Sequence, residues 1–217
     1  DKQSAAELTK ESAVELAGLQ QRLYANGVDK SGSSLLLVVQ GMDTAGKGGI
    51  MRHVVGEVDP QGVRIKAFKA PTEEELSHDC LWRIKRELPP PVYFGVFDRS
   101  HYEDVLVARV HDLVPPEQWS ARYELINEFE RELVAGGTTI VKVMLHISKD
   151  EQERRLLERL NRSDKYWKYS PHDVTERRFW PAYMETYQAM IDQTNTDLAP
   201  WSVFPANKKW YARLVVN

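Results

Sequence analysis

Short apolar runs alternate along this chain with longer amphipathic stretches. The clearest run, residues 35–40, reads Leu-Leu-Leu-Val-Val-Gln, which is typical of a strand buried on both faces of a parallel sheet. The stretches between the runs repeat their apolar residues near the 3.6-residue period of a helix. This pattern predicts strands over residues 35–40, 63–68, 92–97 and 138–147, and helices over residues 4–24, 47–58, 73–88, 117–135, 149–160 and 171–196.

The alternation of strands and helices indicates the fold class. Parallel strands need long crossover connections, and these are right-handed and cover both faces of the sheet. We therefore expect an α/β fold with a doubly wound parallel sheet flanked by helices. A polar and aromatic segment after residue 161 interrupts the alternation. We expect a single domain over residues 1–217, with a helical lid inserted at about 149–175.

Composition and charge exclude several classes of protein. The apolar runs are far shorter than the roughly 20 residues that a membrane span needs. We therefore expect no membrane partner. The one cysteine, Cys80, cannot form an internal disulfide, so we expect a cytoplasmic protein. A net charge of −3 argues against general nucleic-acid binding. Residues 142–178 nevertheless hold ten Lys and Arg against seven Asp and Glu, a local excess that suits a compact anionic ligand.

A glycine-rich motif follows the first predicted strand. Residues 41–48 read Gly-Met-Asp-Thr-Ala-Gly-Lys-Gly and fit the pattern G-x-x-x-x-G-K between a strand and a helix. In that context the backbone amides and the helix N-terminus bind phosphate, and the lysine reaches the transferring phosphate. We expect a phosphate-binding loop, or P-loop, in which Lys47 is catalytic. The phosphate-binding residues expected in it are Gly41, Ala45, Gly46, Lys47, Gly48 and Gly49.

Two acids near this loop are candidate metal ligands. Gly48 stands where such loops usually carry Ser or Thr for Mg²⁺, so other oxygen atoms must hold the ion. Asp43 would repel phosphate unless a divalent cation lay between them, and Asp98 ends the third predicted strand, where a second ligand belongs. We expect both acids to bind Mg²⁺, or Mn²⁺ in its place, and Arg99 to face the phosphates. The structural alternatives are that Asp43 caps the loop, that Asp98 caps a helix and that Arg99 forms a surface ion pair. Glu103 either orients an acceptor or begins a solvated helix.

Basic residues cluster in the predicted lid. Arg155 and Arg159 lie four positions apart on one helical face, so both are expected to reach one chain of phosphates. Lys165 and Lys168 follow among aromatic residues and are expected to bind the same chain. A solvated helix face is the alternative interpretation.

Together these motifs resemble the type 2 polyphosphate kinase family, P-loop enzymes that move phosphate between inorganic polyphosphate and nucleotides. The resemblance spans nearly the whole chain and implies a P-loop kinase fold similar to that of thymidylate kinase. It implies catalytic roles for Asp43, Lys47, Asp98, Arg99 and Arg159. It also implies a nucleotide side that contains Lys69, His78, Asp79, Arg83, Arg99 and Glu103. The resemblance rests on residues 41–47, 68–83, 97–105, 165–169 and 199–213.

The resemblance also implies the reaction and the assembly. The terminal phosphate of inorganic polyphosphate would pass reversibly to a nucleoside mono- or diphosphate, forming ADP or ATP, or GDP or GTP, in a homodimer or tetramer. In-line attack by an oxygen that is already anionic needs no strong base. Two alternatives stay open on the residues alone. One is an ATP-dependent nucleoside monophosphate kinase of thymidylate kinase type, and the other is a P-loop module that binds its ligand without turnover.

Overall fold

A single parallel sheet organises the computed structural model, which describes residues 2–29 and 32–217. Residues 1, 30 and 31 of the predicted domain lie outside that description. The strand order is β2-β3-β1-β4-β5, and the strands are β1 (Ser34–Gly41), β2 (Val63–Ala67), β3 (Phe94–Asp98), β4 (Thr138–His146) and β5 (Trp201–Pro205). The helices are α1 (Lys2–Ala25), α2 (Lys47–His53), α3 (Glu73–Leu76), α4 (Trp82–Lys85), α5 (Glu103–Val110), α6 (Pro116–Ala135), α7 (Lys149–Asn161), α8 (Pro171–Glu176), α9 (Trp180–Thr194) and α10 (Lys209–Val216).

Strand β1 lies at the centre of the sheet, where the direction of winding reverses. Leu37 of β1 is aligned with Val96 of β3 on one side and with Val141 of β4 on the other. The chain builds the β2 and β3 side first and then returns to build the β4 and β5 side. In open α/β sheets such a reversal opens a crevice at the carboxyl ends of the strands. The predicted doubly wound α/β fold is confirmed.

Each face of the sheet has its own apolar core. Leu36 and Val38 of β1 enter the core on the face of α5, α6 and α9, whereas Leu37 and Val39 enter the core on the face of α2 and α10. Because successive strand residues point to opposite faces, a strand covered on both sides must be apolar at every position. This requirement explains the continuous apolar run by which β1 was predicted.

Several elements differ from the prediction, since helix α2 ends at His53 and not at residue 58, and helix α5 was not predicted. The predicted helix over 73–88 forms two short helices, because Asp79 turns the chain and its Oδ1 accepts a hydrogen bond from the Leu81 amide, at 2.9 Å. The predicted helix from 171 divides before α9, which has Pro181 in its first turn. Strand β5 and helix α10 were not predicted. Strand β5 lies at the edge of the sheet, only Trp201 of its residues is buried, and its sequence lacks a continuous apolar run.

A buried polar network lies under the loop that follows β3. Lys142 of β4 is 0% exposed, and its Nζ donates to Glu130 Oε2 at 2.7 Å, to Tyr102 OH at 2.9 Å and to the Thr194 carbonyl at 2.7 Å. Glu130 Oε1 accepts from Tyr102 OH at 2.6 Å and lies 3.1 Å from His101 Nε2. Although burial opposes it, the bonds from His101 and Lys142 hold the pKa of Glu130 below its usual value. The network anchors His101 and Tyr102, which follow the predicted site acid Asp98 after two intervening residues.

Candidate active site

The predicted P-loop connects β1 to α2 at the carboxyl edge of the sheet. Gly46 has a φ of +118°, in the region that favours glycine, and caps the N-terminus of α2. A Cβ atom at Gly41 would lie 2.7 Å from the Leu145 carbonyl oxygen, so only glycine fits beside β4 there. Thr44 also has a left-handed φ, of 64°, which a threonine adopts only when its surroundings hold it there. Loops with such turns direct consecutive amides towards a bound anion.

Lys47 lies at the mouth of this loop. Its Nζ donates to the Gly41 carbonyl at 2.7 Å and to the Met42 carbonyl at 3.3 Å. Burial lowers the pKa of Lys47, the charge of Arg99 adds to that effect, and the nearby carboxylate of Asp98 opposes it. The ammonium group is therefore close enough to feel the charges at the end of β3.

Arg159 from α7 reaches the carboxylate inside the loop. Its Nη1 lies 3.0 Å from Asp43 Oδ2 and 2.8 Å from Asp173 Oδ2, so one guanidinium bridges the P-loop and α8. Asp98 ends β3 opposite Val39 of β1, one strand away from the loop. The structure thus brings the five predicted catalytic residues to one edge of the sheet.

Arg99 and Glu103 form a pair beside this cluster. Arg99 has a φ of 64° directly after β3, and its Nη1 lies 3.7 Å from Glu103 Oε2. Although burial acts in the opposite direction, the Glu103 carboxylate raises the pKa of Arg99. Burial raises the pKa of Glu103 more than the charges of Arg99 and Lys47 lower it. Glu103 is therefore a partly desolvated carboxyl group in the first turn of α5, and not a solvated helix start.

A strongly cationic cavity of about 570 Å³ opens on the α2 side of the cluster. Its walls include the P-loop from Asp43 to Gly49 together with Arg159, Lys165 and Lys168. The remaining wall is mostly charged and includes Lys69, Asp98, Arg99, Arg155 and Glu158. Four further basic residues were not predicted, and the late basic run 208–213 is the only sequence signal for two of them. They are Arg52, His53, Lys209 and Arg213.

A second cavity of about 550 Å³ opens on the α5 side. Most of its wall surface is apolar, and nine Asp, Glu, Lys and Arg residues, among them Arg83 and Glu103, also line it. It shares Asp43, Lys69, Ala70 and Arg99 with the first cavity, so the two cavities meet at these residues. The apolar side chains of its wall include Leu76, Leu106, Val107, Leu113 and Val114.

Two of the predicted nucleotide-side residues lie away from both cavities. His78 is exposed and stacks on Trp82, with ring centroids 4.0 Å apart. Asp79 is exposed and stabilises the turn between α3 and α4 through the Leu81 amide. The prediction placed both on one continuous helix facing the site, whereas the break between α3 and α4 turns them to the surface.

The basic lid residues that line the first cavity also have partners within the protein. Lys165 forms an ion pair with Glu158 of α7, and Lys168 Nζ lies 4.8 Å from the centroid of the Trp167 ring. The guanidinium of Arg155 is buried and donates all its hydrogen bonds to protein acceptors, including the Thr44 and Ala45 carbonyls. Arg155 borders the first cavity, yet its N–H groups hold protein acceptors, because the loop backbone packs against this end of α7. Helical spacing alone does not show this packing.

This arrangement defines a class of protein. A parallel sheet with a phosphate-binding loop after its central strand, an acid at the end of the neighbouring strand and an arginine-bearing helical lid is a P-loop kinase fold. The family model for polyphosphate kinase 2 (PPK2) matches residues 1–217. The chain belongs to this family, as its motifs predicted.

Individual relatives agree with the family match. An AMP/ADP-polyphosphate phosphotransferase of Meiothermus ruber is 48% identical over 225 residues, which cover 100% of this chain and 83% of the relative. An ADP-polyphosphate phosphotransferase of Rhodopseudomonas palustris is 42% identical and covers 97% of this chain and 76% of its own length. The crystal structure of polyphosphate kinase 2 from Arthrobacter aurescens TC1 has a TM-score of 0.97 at 53% identity, covering 100% of this chain and 76% of that one.

Within residues 2–29 and 32–217, no helix has both the length and the apolar character that crossing a membrane requires.

Proposed function

We propose that this protein transfers the terminal phosphate of inorganic polyphosphate to a nucleoside mono- or diphosphate. The observation that carries the proposal is the meeting of two unlike cavities at Asp43, Lys69 and Arg99. A chain of phosphates needs cations and no base pocket, which suits the first cavity. A nucleoside needs an apolar wall with a few polar groups, which suits the second. The names of the relatives, which pair polyphosphate with AMP or ADP, support the same assignment.

In this proposal the chain catalyses transfer by position and charge. The P-loop amides and Lys47 hold the donor's terminal phosphates where the two cavities meet. Arg99 and Arg159 stabilise the charge that develops on the transferring group. The attacking phosphate oxygen of the acceptor is already anionic, so alignment supplies much of the rate. Glu103 fixes Arg99 at the acceptor side.

The chain's residues also fit a magnesium ion. Asp43 and Asp98 line the first cavity beside the phosphate loop, and Mg²⁺ binds through one or two carboxylates together with substrate phosphates. Among the described residues no group of three or more His, Cys, Asp or Glu side chains could hold a metal ion, so substrate phosphates would have to complete the coordination. We propose that these two acids hold Mg²⁺, or Mn²⁺ in its place. The bound ion would neutralise phosphate charge.

The assembly and the location are part of the proposal. We propose that the protein is cytoplasmic. We also propose that it is a homodimer or tetramer, because α1 exposes the apolar side chains of Leu8, Val14 and Leu19. Light scattering after size-exclusion chromatography tests the assembly, and a monomer at micromolar concentration would contradict it.

The test of function separates the possible donors and acceptors. The protein is incubated with Mg²⁺ and long-chain polyphosphate, separately with AMP, ADP, GMP and GDP, and the products are resolved by anion-exchange chromatography. Parallel arms use ATP as donor, omit Mg²⁺, or use Lys47→Ala. We expect ATP from ADP and ADP from AMP with polyphosphate, and loss of both in Lys47→Ala and without metal. Product with ATP alone would identify a nucleoside monophosphate kinase, and no product in any arm would identify a binding module.

A further inference from the structure

Arg155 of α7 uses all five of its N–H donors on protein acceptors. Its side chain is 4% exposed. Nε donates to Glu151 Oε1 at 2.6 Å, and Nη1 donates to the Thr44 and Ala45 carbonyls at 2.7 and 3.0 Å. A guanidinium has five such donors in a fixed plane, so none is left for a ligand. The remaining two bonds run from Nη2 to the Ala206 and Asn207 carbonyls, at 2.6 and 3.0 Å.

The carbonyls that Arg155 holds belong to the strained part of the P-loop. Thr44 and Gly46 both have left-handed φ angles. Amides that turn towards an anion leave neighbouring carbonyls turned towards the protein, where buried carbonyls need donors. A Cβ atom at Gly46 would lie 3.8 Å from Arg155 Nη1, which shows that the guanidinium packs against the loop backbone. Gln152, also on α7, lies with its Nε2 3.3 Å from the Asp43 carbonyl. One helix therefore holds three consecutive loop carbonyls.

We infer that Arg155 is a positioning residue for phosphoryl transfer, which acts through the Thr44 and Ala45 carbonyls. It fixes the amides of the P-loop in the arrangement that receives the donor's terminal phosphate. Because its other two bonds reach the segment after β5, the same guanidinium ties the loop to the base of α10 and its basic residues. The expected fall in kcat rests on the proposed function, whereas the expected effect on the conformation of the P-loop does not.

Lysine cannot replace arginine in this role. Each terminal nitrogen of the Arg155 guanidinium donates to one pair of carbonyls, whereas a lysine ammonium is a compact charge with three donors on a flexible stem. The variant Arg155→Lys therefore keeps the buried charge and removes the bridge. Arg154→Lys is the matched control, because Arg154 also bonds Glu151 but lies exposed on the neighbouring position of α7.

Three readouts test the inference in the full chain. We expect Arg155→Lys to lower kcat on the order of 100-fold, since a displacement of about 1 Å at a reacting group has that effect, and Arg154→Lys to stay within about twofold. Hydrogen–deuterium exchange should become faster in the peptide that covers residues 41–49 of Arg155→Lys, and not of the control. The dependence of tripolyphosphate binding on salt should keep its slope, because no phosphate contact is removed.

The same readouts define the results that would overturn the inference. Suppose that the salt dependence of tripolyphosphate binding weakens by about one phosphate contact while hydrogen–deuterium exchange in residues 41–49 is unchanged. That result would show that Arg155 is a phosphate ligand. If kcat of Arg155→Lys falls only in proportion to the fraction of protein that is unfolded, as thermal unfolding measures it, the role of Arg155 is merely structural. If the parent protein shows no polyphosphate-dependent turnover, the proposed function fails. The exchange and tripolyphosphate-binding measurements then still decide the positioning role.

Discussion

Glu103 shows how one side chain can be costly for stability and useful for function. Burial raises its pKa, so in the folded protein the charged carboxylate is less favourable than in the unfolded chain. A carboxyl group with a raised folded pKa stabilises the fold at low pH. That contribution is lost as the pH rises through the folded pKa.

We predict that Glu103→Gln raises the midpoint of thermal unfolding at pH 7 while it lowers kcat. The amide removes the buried charge and also the partner that fixes Arg99. The difference in midpoint from the parent should shrink as the pH falls towards the ordinary glutamate range. Scanning calorimetry between pH 5 and pH 8 measures it, and a variant less stable than the parent at pH 7 would contradict the prediction.

Other site residues show what a motif can and cannot predict. Asp43 and Lys47 were predicted because the spacing of the P-loop motif fixes their positions between β1 and α2. Arg155 and Arg159 share one face of α7, yet one contacts loop carbonyls and the other a loop carboxylate. Periodicity indicates a shared face, but it does not show which part of that face packs against backbone.

At the scale of the element, Glu158 of α7 partly neutralises the positive charges of the basic residues around it. Glu158 lies 3.3 Å from Arg162 Nη1 and 3.8 Å from Lys209 Nζ, and it pairs with Lys165. The hydrogen bond from Lys165 is the largest cause that lowers the pKa of Glu158. Lys165 and Lys209 line the first cavity, so this carboxylate competes with any polyanion bound there.

We predict that Glu158→Gln lowers the KM for polyphosphate about two- to fivefold, because exposed ion pairs of this kind are individually weak. The effect should be largest at low salt, since screening weakens the attraction. Glu153→Gln is the control, because Glu153 pairs with Arg177. Steady-state kinetics at two ionic strengths measures the change. A KM that is unchanged or higher would show that Glu158 orients the cations instead of competing for them.

The pairing of β4 with α6 depends on the buried network of Lys142 and Glu130. Removing one partner leaves the other charge buried without compensation, which costs about 3–5 kcal/mol. We therefore predict that Lys142→Met lowers the free energy of unfolding by about that amount. The double variant Lys142→Met with Glu130→Leu should recover a large part of it. Urea denaturation measures both, and a loss below about 1 kcal/mol in the single variant would contradict the prediction.

The elements differ in how far the sequence predicted them. Strand β1 was predictable because burial on both faces demands an unbroken apolar run. Strand β5 was missed because its five residues, Trp-Ser-Val-Phe-Pro, form no continuous apolar run and end in proline, whereas the other edge strand, β2, was predicted. The predicted helix over 73–88 was wrong because a local side-chain bond at Asp79 outweighs helical propensity.

At the scale of the whole molecule, the sheet assembles a site from distant parts of the chain. Parallel order places the ends of β1 and β3 side by side, so Asp43 and Asp98 line the same cavity although 54 residues separate them in the sequence. The motifs predicted that the site lies at this edge of the sheet. The second cavity was less predictable, because its apolar wall combines single residues from α3, α5 and the loop that follows α5.

The central claim is that the cationic cavity holds the phosphate donor and the apolar-walled cavity holds the acceptor nucleotide. The most direct measurement is the pair of KM values, for polyphosphate and for ADP, in Arg213→Gln and Leu113→Asp. Arg213 lines only the first cavity, and Leu113, which is 64% exposed, lines only the second. We predict that Arg213→Gln raises the KM for polyphosphate alone and that Leu113→Asp raises the KM for ADP alone. If each variant raised the opposite KM, or both equally, the assignment of the two cavities would be wrong.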